Sequence, residues 1–411
     1  MGSAAASKSR VVVTGMGACS AAGWGVDALW ASLRAGHTAI SAFSRFDHSR
    51  QRTHVAGEVS ADPPASFRRP PDWRRLSYSD RFAVFAAGEA LAQAGLRAPL
   101  PEAGVYFGTS TAGLIESEWY VEELMRHPEA RGRLGFMACH QLNAPGDAVA
   151  RHNGATGPVE TLSSACASSA LAIEAALRAV REGDVEVALA GGADALATVT
   201  YSGFNALRAV DAEPCRPFRA GRGGISLGEG GAVLVLERLE HALARGACPL
   251  AELQGAGSSC DANHMTAPHP EGKGAAAAIA RSLEDAGLSA ERVGYVNAHG
   301  TGTPLNDASE WSALVKALGG QAGRVPVSAT KSIVGHLLGS SGAIEAVATI
   351  LCLRALEAHP AAGGGTVDPA LGIDLVLAEA RPLPAGASAV STSLGFGGAN
   401  AALVLAPWGV A

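Results

Sequence analysis

The sequence predicts an α/β protein made of two similar halves, and three observations carry that expectation. Short β-rich runs alternate with longer Ala/Leu-rich helical patterns, the order expected where helices cover largely parallel sheets. At 411 residues the chain exceeds the roughly 250 to 300 at which single hydrophobic cores stop growing, so two domains or two fused halves are expected. Two distant segments, finally, share one order of strand, Ser/Thr turn and long helix.

Taken in chain order, a strand is expected over residues 10–14, a helix over Val26–Ala35 and an exposed loop or short helix over the Pro/Arg-rich stretch 62–75. A helix over 80–94 and a strand over Gly104–Gly108 follow. PVETLSSACASSALAIEAALRAVREGD passes from a β-type stretch through a Ser-rich turn into an amphipathic helix, and EVALAGGADAL continues as a buried strand. VPVSATKSIVGHLLGSSGAIEAVATILCLRAL repeats that order, with SSGAIEAVA resembling SSALAIEAAL. The halves meet near 245–255, where ERLEHALARGACPLAELQG turns from helix to strand, giving residues 1–250 and 251–411. No low-complexity linker separates them, so one continuous core is expected.

Composition narrows the function classes. A hydrophobic fraction of 48% against 17% charged residues suits a globular, Ala/Gly-rich protein that buries surface in an oligomer. A formal charge of -6 offers no bulk attraction to nucleic acid or an anionic membrane, so any basic docking site is a local patch. Seven scattered cysteines without a CxxC pair read as reduced thiols of a cytoplasmic protein, not as a disulfide framework or zinc site. The opening MGSAAASKSR has no apolar signal region, and no uninterrupted apolar stretch approaches the ~18 residues of a membrane span.

Cys166 is the first chemical candidate, because a thiol where a strand hands over to a helix sees the positive end of the helix dipole and unpaired N–H groups, both favouring thiolate. A Cys among Ala and Ser is more often a small packed residue, so its company decides. His299 lies in YVNAHGTGTPLND, where a β-rich run breaks into a Gly/Thr/Pro loop, and His336 lies in KSIVGHLLGSSG, just after Lys331. A nucleophile and two imidazoles are the set that thioester chemistry needs. A dinucleotide or phosphate loop is the competing reading of TGMGACSAAG or GGISLGEGG. Neither has the GxGxxG spacing with its acidic residue or the Lys-Ser/Thr ending of a P-loop.

With these motifs in order, the chain resembles the β-ketoacyl-acyl carrier protein synthases of the thiolase superfamily over nearly its whole length. SSACASSA is similar to that family's nucleophile turn, NAHGTGTP to its first histidine motif, KSIVGHLLGSSGAIEA to its lysine and second histidine motif, and SLGFGGANAALVL to its glycine-rich motif. CRPF, LGEGGAVLVLE and DANHMTAP fall in the family's order too. The resemblance implies the duplicated thiolase-like fold, layered α-β-α-β-α, with an acyl group carried on Cys166 and a malonyl unit joined to it by decarboxylative Claisen condensation. His299 and His336 would bind the malonyl thioester oxygen, and the N–H groups of Cys166 and Phe396 would form the oxyanion hole. Lys331 and Glu345 would form a charge network positioning His336, with Asp307 and Glu310 as further structural support. Thr301 and Thr303 would bind the phosphopantetheine arm, Phe396 would gate the thiol, and Thr111 stands where elongating synthases have a bulky aliphatic gate. Arg74, Arg75, Arg131, Arg133 and Arg208 are the basic candidates for docking an acidic acyl carrier protein. No metal or redox cofactor is implied, since the pantetheine belongs to the carrier. A homodimer, or a heterodimer with a chain-length partner, is expected.

Within the superfamily, chain-initiating synthases carry Asn where His336 stands, so an elongating enzyme is expected. A non-catalytic chain-length partner, a reading of another class, would lack the nucleophile. Departures from the housekeeping fatty-acid pattern are concentrated in PFRAGRGGI, which places Arg219, Gly223 and Ile225 where an Asp and an Arg-Asp-Gly-Phe stretch are usual, in a shortened-looking loop after GFNALRAV, and at Thr111. These favour a dedicated ketosynthase of a type II polyketide or polyene pathway over a fatty-acid synthase.

Overall fold

The computed structural model describes residues 8–59, 61–129 and 134–409. Its main strands are β1 (Val11–Ser20), β2 (Gly104–Gly108), β3 (Val159–Leu162), β4 (Val187–Asp194), β5 (Gly230–Arg238), β6 (Ala251–Cys260), β7 (Val293–Asn297), β8 (Val327–Ser328), β9 (Ser388–Leu394) and β10 (Ala399–Pro407). The helices that frame the site are α1 (Val26–Ala35), α2 (Tyr78–Ala94), α3 (Ser168–Glu182), α4 (Lys273–Ala286), α5 (Pro304–Leu318) and α6 (Ser341–Ala355).

One sheet path runs β8-β7-β9-β10-β6-β1-β5-β4-β2-β3. Counted from each half's own first strand, both halves have the order 3-2-4-5-1. They meet where β1 pairs antiparallel with β6, Val12 opposite Glu252 and Val13 opposite Ala251. The sheet is mixed and not largely parallel. In each half the pairs β2/β3 and β2/β4, or β7/β8 and β7/β9, are parallel, whereas β4/β5, β5/β1, β9/β10 and β10/β6 are antiparallel. The glycine-rich turn between β9 and β10 explains part of this, because a short connection permits only an antiparallel neighbour.

β1 reaches Ser20, well past the expected end at residue 14. Its TGMG stretch, the start of the segment that a phosphate-loop reading would claim, serves as a smooth strand face, since a Cβ at Gly15 or Gly17 would collide with the backbone of Ala90 or Ala86 on α2. Gly255 and Gly257 on β6 leave the same room for Ser282 and Ala286 of α4. Ser77 starts α2 with a reciprocal capping box to Asp80. Packing follows the layers: α2 covers one half of the sheet, α4 the other, and α3 and α6 lie between them. At the centre the Ala343 N–H donates to Ser169 Oγ at 2.9 Å, and Gly342 lies against Ala170. The stretch Leu338–Ala355 is apolar and long enough to cross a membrane, but 89% of it is buried inside the protein, which makes it a core helix.

Glu116, on the helix Leu114–Arg126, is buried with Oε2 unpartnered while Oε1 accepts the Tyr78 N–H at 2.7 Å. Burial pushes its carboxyl from 4.5 up to about 7, with Asp80 adding repulsion. A carboxyl raised in the folded state stabilises fully below its unfolded pKa and loses that contribution as pH rises through about 7. Glu116→Gln is therefore expected to raise stability by roughly 3 kcal/mol at pH 8 and by little at pH 4.5, checked by urea melts at both values.

Candidate active site

Cys166 sits in the turn between β3 and α3, two residues before Ser168. The turn is pinned from behind: Ala165 is held in the left-handed region at φ 48°, and its carbonyl accepts hydrogen bonds from Ser110 Oγ at 3.0 Å and Ser168 Oγ at 2.6 Å. That strain persists because two hydroxyls fix the peptide that aims the thiol. The Phe396 N–H, from the glycine-rich turn, points at the Cys166 sulfur.

Both histidines arrive from the second half, His299 just after β7 and His336 just before α6. Their rings meet edge to face at a centroid distance of 5.4 Å, and a ring nitrogen of each lies with Cys166 Sγ in one cluster, all within 4.8 Å. All three side chains are buried. The hydrogen bonds behind the rings fix their tautomers. Lys331 Nζ lies 2.9 Å from His299 Nδ1, and the Leu338 N–H donates to His336 Nδ1 at 3.0 Å, with Ser341 Oγ at 3.1 Å. An ammonium and an amide only donate, so both Nδ1 atoms accept and both Nε2 atoms carry the hydrogen. A sulfur and two imidazoles this close could be read as three metal ligands, but metal binding needs bare nitrogens, and these rings present N–H groups instead. Burial, with the Lys331 charge, holds both imidazoles well below the usual histidine range, so they stay neutral.

Lys331 departs from expectation: it pairs with Glu345 but positions His299, not His336. The short helix Lys331–Val334 and the Gly335 turn, at φ 82°, direct the lysine's hydrogen bond to His299 and leave only its charge acting on His336, despite their closeness in sequence. The Cys166 thiol departs too. Burial pushes it up to about 11 and outweighs the opposing Lys331 charge and Phe396 N–H, so the resting group is a thiol.

The supporting carboxylates hold backbone. Glu310 accepts from the N–H groups of His299 and Gly300 at 2.7 and 2.8 Å and from Thr392 Oγ1 at 2.7 Å. Asp307 accepts from the Phe218 N–H at 2.7 Å and pairs with Arg222 at 3.0 Å, and burial still pushes it up to about 7.

A cavity of about 310 Å³ leads to this cluster, lined by Cys166, His299, His336, Thr301, Thr303 and Phe396 among others. Thr301 and Thr303 face one another at 3.0 Å, and Phe396 is half-buried and stacks on Phe204 at 5.4 Å. Ile225 and Arg208 also line the cavity. Thr111 does not: its hydroxyl is tied to Asp194 Oδ1 at 2.9 Å and the Ala195 carbonyl at 3.3 Å. Arg219, buried, donates to the carbonyls of Gly365 at 2.6 Å and Ala361 at 3.0 Å. Arg74 and Arg75 are exposed on the 3-10 turn Trp73–Arg75 and do not line the cavity, and Arg131 and Arg133 lie outside the described residues. The sequence reading missed Asn306 and Asn400 in the cavity wall, and Asn297, whose Nδ2 donates to the Glu345 carbonyl at 3.1 Å. Asn297 and Asn306 flank the first histidine in YVNAHGTGTPLND, the one signal that could have found them.

The chain is similar to known proteins in sequence and in fold. The family models for the N-terminal and C-terminal domains of beta-ketoacyl synthase match residues 8–242 and 250–364. The 3-oxoacyl-[acyl-carrier-protein] synthase 2 of Synechocystis is 38% identical over 406 residues, covering 96% of this chain and 97% of its own. A putative polyketide beta-ketoacyl synthase 1 of Streptomyces halstedii is likewise 38% identical, over 421 aligned residues and the same shares. Among solved structures, the ishigamide ketosynthase/chain length factor superposes with a TM-score of 0.92 at 32% identity, covering 98% of this chain and 100% of that one.

Proposed function

The chain belongs to the β-ketoacyl synthase family and is a condensing enzyme, and from that premise we propose that Cys166, His299 and His336 carry its decarboxylative Claisen condensation within a type II polyketide or polyene pathway. The observation that carries the reading is the convergence of one buried thiol with two imidazoles whose Nε2–H groups are fixed as donors.

In the first half-reaction the Cys166 sulfur attacks an acyl thioester on the carrier. The oxyanion accepts hydrogen bonds from the N–H groups of Cys166 and Phe396, the bond to the carrier sulfur breaks, and the proton given up by Cys166 ends on the departing carrier thiol. In the second, the malonyl thioester oxygen accepts from both Nε2–H groups. The bond to the carboxylate breaks, carbon dioxide leaves, and the electron pair is held as an enolate. The enolate carbon forms the new C–C bond to the acyl carbon, and Cys166 leaves as thiolate and takes a proton from water. Neutral imidazoles suit this role, since they are asked to donate and not to exchange a proton. Both half-reactions balance without a metal or redox cofactor, and the pantetheine arrives with the carrier.

The pathway reading rests on Thr111, Arg219, Gly223 and Ile225. Ile225 widens the cavity wall where a Phe is usual, and the hydrogen-bonded Thr111 cannot serve as a swinging aliphatic gate. A chain-length partner fits this reading, as does the likeness to the ishigamide ketosynthase/chain length factor. Purified protein offered saturated, β-keto and polyunsaturated acyl carriers is expected to turn over the latter two, and efficient turnover of saturated chains alone would overturn the pathway assignment.

Carrier docking follows from the cavity mouth, where Leu207 and Leu305 are 56% and 67% exposed beside Arg208. Leu305→Asp, which adds a repulsive charge toward an acidic carrier, is expected to raise KM for the acyl carrier about tenfold. Turnover of a carrier-free acyl thioester should stay unchanged, and steady-state kinetics with both substrates check this.

A further inference from the structure

We propose that Asp194, at the end of β4, is a positioning residue that sets the geometry of His336 from the opposite half of the chain. Asp194 is fully buried, and no Lys, Arg or His among the described residues forms a salt bridge with it. Its charge is held by donors alone, and the two oxygens divide them. Oδ1 accepts from Thr109 Oγ1 at 2.6 Å, the Ser110 N–H at 3.0 Å, the Thr111 N–H at 2.8 Å, Thr111 Oγ1 at 2.9 Å and the Ala112 N–H at 3.2 Å. Oδ2 accepts from the Gly339 N–H at 2.7 Å and shares the Ser110 N–H at 3.0 Å.

Gly339 is three residues past His336, and the residue just before it, Leu338, whose N–H contacts the ring, is held at φ 53°. That left-handed conformation is strained for a leucine and persists only where the surroundings impose it. It also aims the Leu338 N–H at His336 Nδ1, which fixes the hydrogen on Nε2. Asp194 pulls on Gly339, Gly339 holds Leu338 in its turn, and Leu338 sets the tautomer and direction of the ring. The junction has no slack: a Cβ on Gly339 would lie 2.6 Å from Ser110 Oγ and 2.8 Å from Asp194 Oδ2. Ser110 in turn holds the Ala165 carbonyl behind Cys166, so one carboxylate registers the imidazole of one half against the sulfur of the other.

The inference rests on the condensation reading, and its test separates the two. In Asp194→Asn the amide oxygen remains with the five donors of residues 109–112, which leaves the NH2 group facing the Gly339 N–H, donor against donor. Acylation of Cys166, followed by intact mass, is expected to stay within about threefold of wild type, while malonyl-carrier decarboxylation falls about tenfold to a hundredfold, the scale of an ångström-sized misplacement. Leu338→Gly, which leaves Asp194 and Ser110 in place and frees the left-handed turn between Gly339 and His336, is expected to give the same split should Asp194→Asn not fold. Equal losses in both half-reactions, or wild-type decarboxylation in either variant, would overturn the role of Asp194. A wild-type enzyme that neither acylates nor decarboxylates would instead sink the condensation reading.

Discussion

Cys166→Ala is expected to abolish condensation, by roughly a million-fold, the scale of losing a nucleophile that acts with its neighbours as a unit. Decarboxylation of the malonyl carrier should continue, because it needs only the two Nε2–H donors behind the sulfur, and these are fixed by Lys331 and Leu338 and owe nothing to the thiol. His336→Ala should do the reverse. It leaves the thiol and the Phe396 N–H in place, so Cys166 still takes up acyl groups, while decarboxylation slows by about 2.7 to 4 kcal/mol, the usual value of one oxyanion donor. Intact-mass acylation and release of labelled carbon dioxide separate the two variants. Condensation surviving in Cys166→Ala would mean that the nucleophile lies elsewhere.

Lys331→Met is the second large effect, and it reaches stability as well as activity. Lys331 is 1% exposed and touches both Glu345 and His299, so its removal leaves a buried carboxylate and an imidazole acceptor unmatched. Removing one partner of a buried pair costs about 3–5 kcal/mol. Burial already pushes the Glu345 carboxyl up to about 7, Lys331 being the group that opposes it. The double variant Lys331→Met/Glu345→Gln should therefore recover stability in denaturant melts without recovering decarboxylation, since nothing then fixes the His299 tautomer. A double variant no more stable than the single one would show that the ion pair is not the source of the loss.

Much of this was legible in the sequence because the chemistry is local. Cys166, His299 and His336 each sit in a short run whose composition marks a strand yielding to a turn, and repetition of that order revealed the two halves. What escaped is set by distant packing. The strand is expected to end at Thr14, and only α2 lying on Gly15 and Gly17 shows why it runs on through TGMG. Lys331 is five residues from His336 and 32 from His299, and the Gly335 turn makes the far partner the near one. A thiol at a helix start reads as a thiolate, yet the same layering that delivers the helix also removes the water a thiolate needs. Asp194 gave no signal because its donors come from two segments, 109–112 and Gly339, separated by more than two hundred residues.

The antiparallel seam between β1 and β6 bears on how such a molecule could have arisen. Either half alone would present a bare strand edge and an oily inner helix, and would be driven to associate with a twin across the same line. Joining twins into one gene keeps that union while releasing the copies from identity. One was then free to keep the sulfur and the other the imidazoles, a division of labour that identical subunits cannot make.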